Sequence, residues 1–103
     1  MNRKEILEAA QKCVCGDREQ DYGSVENNFG TIARMWSAYL QGSGREVFIN
    51  SVDVAAMMAL LKIARIGSGH AKADNWVDLC GYGSCGGELE SRSDDIYVCG
   101  KEV

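Results

Sequence analysis

The sequence has no proline, one histidine, no excess of positive charge and no uncharged apolar run long enough to cross a bilayer. Each absence excludes something. Proline breaks helix interiors, so its absence leaves long helices uninterrupted. Ala, Leu, Glu and Met are frequent, and the apolar runs recur at helical rather than alternating spacing. The expected class is all-α: a four-helix, bundle-like domain over residues 1–90 followed by a tail over 91–103. Eleven Lys and Arg stand against fifteen Asp and Glu, a net charge of −4. That balance leaves no basic stripe for duplex nucleic acid, and the mixing of signs does not support extensive DNA mimicry. The opening Met1-Asn2-Arg3-Lys4-Glu5-Ile6 has no apolar core of the signal-peptide type, so the cytoplasm is the expected compartment. There is no internal repeat and no low-complexity segment.

The lone His70 follows Gly67-Ser68-Gly69 in a loop and reads as solvated. The five cysteines, Cys13, Cys15, Cys80, Cys85 and Cys99, are odd in number and read as free thiols in a reducing compartment. Neither Cys13-x-Cys15 nor Cys80-x4-Cys85 has the two-residue gap of a zinc knuckle; no zinc is expected. Cys13 and Cys80, on expected packing stripes, should be the slowest to react.

What the chain does contain is centred on 52–66, Val52-Asp53-Val54-Ala55-Ala56-Met57-Met58-Ala59-Leu60-Leu61-Lys62-Ile63-Ala64-Arg65-Ile66. At about 100° per residue its apolar positions leave no polar face, so the helix is expected at the buried centre. A chain of 103 residues buries only ~65% of its unfolded surface, and a homo-oligomer, in the simplest case a dimer, is expected to cover the remainder. Asp53 lies in the first turn, where it suits the helix dipole behind a cap from Asn50 or Ser51. Lys62 and Arg65 share a face with Met58 and Val54. Such cations are either neutralised by Asp74 and Asp78 of the next helix or held open for an anion.

The first helix is expected from Arg3 to Val14, with Ile6, Ala9, Ala10 and Cys13 on one stripe. A polar link over 15–24 leads to Ser24, a candidate N-cap. The second helix runs to Leu40 and aligns Phe29, Ile32, Ala33, Trp36 and Leu40. The last helix is expected from Ala73 or Asp74 to about Glu90, packing through Trp76, Leu79, Cys80, Gly83 and Gly87. Beyond it, Ile96-Tyr97-Val98-Cys99 either belongs to a tail or pairs with Val47-Phe48-Ile49 as a small two-stranded β addition.

Arg18-x2-Asp21-Tyr22-Gly23, Asn28, Trp36, Asp53-Val54-Ala55-x-Met57-Met58-x-Leu60-Leu61-Lys62-Ile63-Ala64-Arg65 and Asp74-Asn75-Trp76-x-Asp78-x2-Gly81-Tyr82 together resemble a small helical domain of unknown function found in phages and prophages. The chain is also similar to the MazG-type all-α nucleotide pyrophosphohydrolases, in which carboxylates on two helices hold Mg²⁺ against a nucleoside triphosphate. That similarity implies Asp74, Asp78 and Asp53, with Glu26 as a further candidate, as Mg²⁺ ligands, and Lys62, Arg65 and Arg18 on phosphates. It assigns no catalytic residue, because the first carboxylate pair of those enzymes is replaced by Ala56 and Met57. Asp53 and Lys62, nine residues apart, also fall about half a turn out of phase. Three functions fit: a metal-dependent enzyme that hydrolyses a nucleotide-like phosphoanion; a non-catalytic phage protein that binds such an anion or blocks a host defence protein, of anti-CRISPR or anti-signalling type; and a purely structural set of cross-helix ion pairs.

Overall fold

The computed structural model describes residues 1–16, 25–70 and 72–96, which form four helices and no strand: α1 (Arg3–Cys15), α2 (Val25–Gly42), α3 (Ser51–Gly67) and α4 (Ala73–Ile96). The fold is all-α. Two of the helices start on reciprocal capping boxes. Asn2 accepts from the Glu5 backbone N–H while Glu5 accepts from Asn2, and Asn50 and Asp53 do the same at α3, at 2.8 and 3.0 Å. Each box satisfies two amides that the first helical turn leaves without a partner.

α4 is the element the others share. α3 makes its most extensive contact with it, α1 packs on it, and α2 rests chiefly on α3 with a smaller contact to α4. Phe29, Ala33, Ile49, Val54, Ala55, Cys85 and Leu89 form one buried cluster, with Ile32, Trp36, Leu40 and Tyr82 against it. The α2 stripe is thus the expected one. Beside it lies the buried Ser37, whose hydroxyl donates to the Ile49 carbonyl (3.1 Å) and accepts from the Ile49 N–H (2.8 Å). Gln41 donates to the Val47 carbonyl at 3.0 Å. Together they brace the α2–α3 link, so the Ile49 backbone is satisfied by a side chain and not by a strand.

Four expectations are corrected. First, α3 is not enclosed: Val54, Ala55, Met58, Ala59, Lys62 and Ile66 face inward, while Ala56, Met57, Leu60, Ile63 and Ala64 are exposed. Its neighbours α2 and α4 lie to one side, and α1 packs on α4. Second, the α4 stripe is inverted. Asn75, Val77, Gly81, Cys85 and Leu89 are buried, and Trp76, Gly83 and Gly87 are exposed. Third, α4 runs on to Ile96, past the expected end at Glu90; Tyr97, Val98 and Cys99 lie outside the described residues. Fourth, the most buried thiol among the described residues is Cys85, in the core cluster, whereas Cys13 and Cys80 are half-buried and Cys15 is exposed.

Two α4 glycines mark close helix approaches. A Cβ on Gly86 would lie 3.1 Å from the Ala55 Cβ on α3, and one on Gly81 would lie 3.2 Å from Val14 Cγ1 on α1. Gly83 and Gly87 face open space, so they weaken the helix without any return in packing. Gly83→Ala and Gly87→Ala are each expected to raise stability by about 0.5–1 kcal/mol, and Gly86→Ala to give no such gain, measured by urea denaturation. Alkylation of the native protein followed by peptide mapping should label Cys15 first and Cys85 last of the four described thiols; early labelling of Cys85 contradicts its place in the core.

Candidate functional site

The site lies where α3 ends and α4 begins. Lys62 falls on the inward face of α3, a side determined by Val54 and Met58, which precede it at helical spacing. Its ammonium therefore meets α4, where Nζ lies 2.9 Å from Asp78 Oδ2, with the two side chains 16% and 30% exposed. One turn on, Arg65 reaches the first turn of α4 differently: its Nε donates to Asn75 Oδ1 at 3.2 Å. Asn75 is 3% exposed, and its Nδ2 donates to the His70 carbonyl. Backbone bonds close the same corner. His70 N–H donates to the Arg65 carbonyl at 3.1 Å and Asn75 N–H to the Lys72 carbonyl at 3.0 Å, around Gly69 at φ +92°. The positive φ suits glycine at the end of a helix.

The expected cluster of Lys62, Arg65, Asp74 and Asp78 is half assembled. Lys62 and Asp78 pair, and Arg65 takes an amide in place of a carboxylate. Asp74 is exposed and forms no ion pair with a described residue. Asp53 is held in its cap with Asn50, on the face of α3 opposite Lys62. Arg18 and the Glu26 side chain lie outside the described residues. Among the described residues, no three His, Cys, Asp or Glu side chains are grouped closely enough to hold a metal ion.

Asn75 is the residue that reading the sequence missed. Its signal was its phase: it lies in register with Asp78, Tyr82, Cys85 and Leu89, so a polar amide was bound to be turned inward and to need partners. Arg65 and Lys72 are exposed cations without an ion pair to any described residue, next to the amino end of α4. The carboxylates of the corner are Asp74, also exposed, and Asp78, already neutralised by Lys62. Arg65 has its Nε tied to Asn75, which holds the guanidinium plane in one orientation and leaves its terminal nitrogens without a bond to a described residue.

Residues 5–90 match the model of a domain of unknown function, DUF6378. The Gene 55 protein of Mycobacterium phage D29 is 41% identical over 81 residues, covering 78% of this chain and 50% of that protein. For the Gene 55 protein of Mycobacterium phage L5 the identity is 38% over 95 residues, covering 92% of this chain and 58% of the relative. The chain spans about half the length of the curated relatives it matches. No solved structure matches. No helix of the described residues is long and apolar enough to cross a membrane.

The Lys62–Asp78 pair is only partly buried, so its removal should cost less than that of a fully buried pair. Lys62→Met strands the Asp78 carboxylate and is expected to lower stability by about 1–3 kcal/mol. The double variant Lys62→Met, Asp78→Leu should recover most of that loss in urea denaturation. If the double variant is as unstable as the single one, the pair does not account for the effect.

Proposed function

The chain belongs to the DUF6378 family, and from that membership and its relationship to phage Gene 55 proteins we propose a phage accessory protein that binds a phosphoanion, nucleotide-like in size, without hydrolysing it. The observation that carries this reading is the Arg65–Asn75 bond. The buried Asn75 amide, besides closing the turn, orients an exposed guanidinium beside a helix amino end, where backbone amides and the dipole already favour negative charge. Arginine orientated in this way suits a phosphate, which it can engage with two parallel N–H donors. Lys72 and the His70 ring are exposed on the same corner and add charge or donors.

The carboxylates support binding without turnover. Magnesium needs near-octahedral oxygen ligation and a polarised water. Of the candidate ligands, Asp78 is neutralised by Lys62, Asp53 is occupied in its cap on the opposite face, Ala56 and Met57 contribute no oxygen, and Asp74 is left as a single free carboxylate among the described residues of this corner. Lys62 in this reading is a structural cation, and the phosphate contacts come from Arg65, with Arg18 as a further candidate.

A second reading, inhibition of a host defence protein by direct contact, has its own observation. Phe48 is 80% exposed on a link that Ser37 and Gln41 hold in place. An aromatic presented on a braced loop is suited to anchor a protein interface. The two readings separate on different variants, since Phe48→Ser should leave anion binding unchanged.

Calorimetric titration of the purified chain with pyrophosphate and with a panel of nucleoside triphosphates tests the first reading. Saturable binding is expected for the wild type and at least a tenfold weaker constant for Arg65→Gln, which also removes the donor to the buried Asn75 Oδ1 and is expected to lower stability by about 1–3 kcal/mol while keeping the wild-type helicity by circular dichroism. No release of pyrophosphate or phosphate should follow when Mg²⁺ or Mn²⁺ is added. Undiminished binding by Arg65→Gln overturns the assignment, and metal-dependent turnover restores the enzyme.

A further inference from the structure

The outward face of α3 carries a second apolar seam. Ala56, Leu60, Ile63 and Gly67 follow one another at alternating steps of four and three, with Met57 and Ala64 beside them, the spacing that keeps one side of a helix against another helix. Leu60 is 62% exposed and Ile63 51%. The only charges on α3 past its cap, Lys62 and Arg65, are turned toward Asp78 and Asn75 on α4. The seam is therefore charge-free along its length, and Asp53, in the cap, is the charge at its start.

We infer that this face binds the same face of a second copy of the chain, with the two α3 helices antiparallel about a two-fold axis. Three observations select that occupant and that orientation. The first is charge. A parallel pair places Asp53 against the second copy's Asp53 and aligns the two helix dipoles, whereas an antiparallel pair places Asp53 beside the uncharged Gly67 end of the second helix and sets the dipoles in opposition. The second is size. In the antiparallel register Leu60 meets the second copy's Ile63, and by symmetry Ile63 meets its Leu60, so the two large layers lie at the centre. The outer layers pair Ala56 with Gly67, and a Cβ at Gly67 meets nothing within 4 Å in the single chain, so the helix ends can approach closely. The third is closure: the contact is isologous, so it satisfies both seams at once and leaves no open apolar edge from which a filament could grow. This interface is independent of the anion site, because Arg65 lies on the other side of α3.

Sedimentation velocity of the full chain tests the inference. The wild type should sediment as a concentration-dependent dimer. Leu60→Glu and Ile63→Lys should each sediment as a monomer, with unchanged helicity by circular dichroism, since both positions are exposed in the single chain. Mixing the two variants should restore a dimer. In the antiparallel register the carboxylate introduced into one chain faces the ammonium introduced into the other, while the second central layer keeps its Ile63 and Leu60. A wild type that stays monomeric to about 100 μM, or a Leu60→Glu variant that stays dimeric, overturns the interface. Two monomeric variants that fail to pair on mixing overturn the antiparallel register. Anion binding should be the same in monomer and dimer, so loss of the interface and loss of the anion site are read separately.

Discussion

The close approach of α3 to α4 is the constraint on which the rest of the structure depends. Ala55 is nearly fully buried and would meet a Cβ on Gly86 at 3.1 Å, and Val54 beside it has no exposed surface. At that separation the two backbones have little freedom to slide or rotate, because a core at native density has no void into which side chains could shift. Once α3 and α4 are locked, Lys62 has to face Asp78, and Arg65 has to face the first turn of α4. α1 and α2 then cover what remains: α1 lies on α4 through Val14 and Gly81, and α2 lies on α3 through its Phe29, Ala33 and Trp36 stripe.

The two polar contacts across that interface do different work. The Lys62–Asp78 pair neutralises a cation that the helix phase forces inward, and its worth is largely the avoidance of an unpaired charge. The Asn75 amide holds together the turn that joins the helices, with Arg65 on one side and the His70 carbonyl on the other. A turn closed only by the Gly69 backbone would leave the arginine free to rotate. With Asn75 in place its Nε is bonded and the side chain is tied to the turn.

Much of the fold was legible in the residues themselves. The absence of proline, the helical spacing of Phe29, Ile32, Ala33, Trp36 and Leu40, and the acidic residue three positions after Asn50 are local signals. Local geometry alone decides them, because a helix phase and a capping box each involve residues within a few positions of one another. The pairing of Lys62 with Asp78 was also foreseeable, since a cation on the packed side of a core helix requires a partner.

What only the tertiary structure decided was which side of each helix became the inside. On α3 nearly every side is apolar, so periodicity cannot choose between Leu60 and Val54; the positions of α2 and α4 choose. On α4 the bulk of Trp76 suggested one stripe, but the side that packs is the one where Gly81 and Gly86 let other backbones come near and where Val77, Cys85 and Leu89 fill the space between. Burial is a property of two surfaces together, and a sequence displays only one of them at a time. Asn75 belongs to the same class: an amide reads as a surface residue until the fold turns it inward and supplies the arginine and the carbonyl that satisfy it.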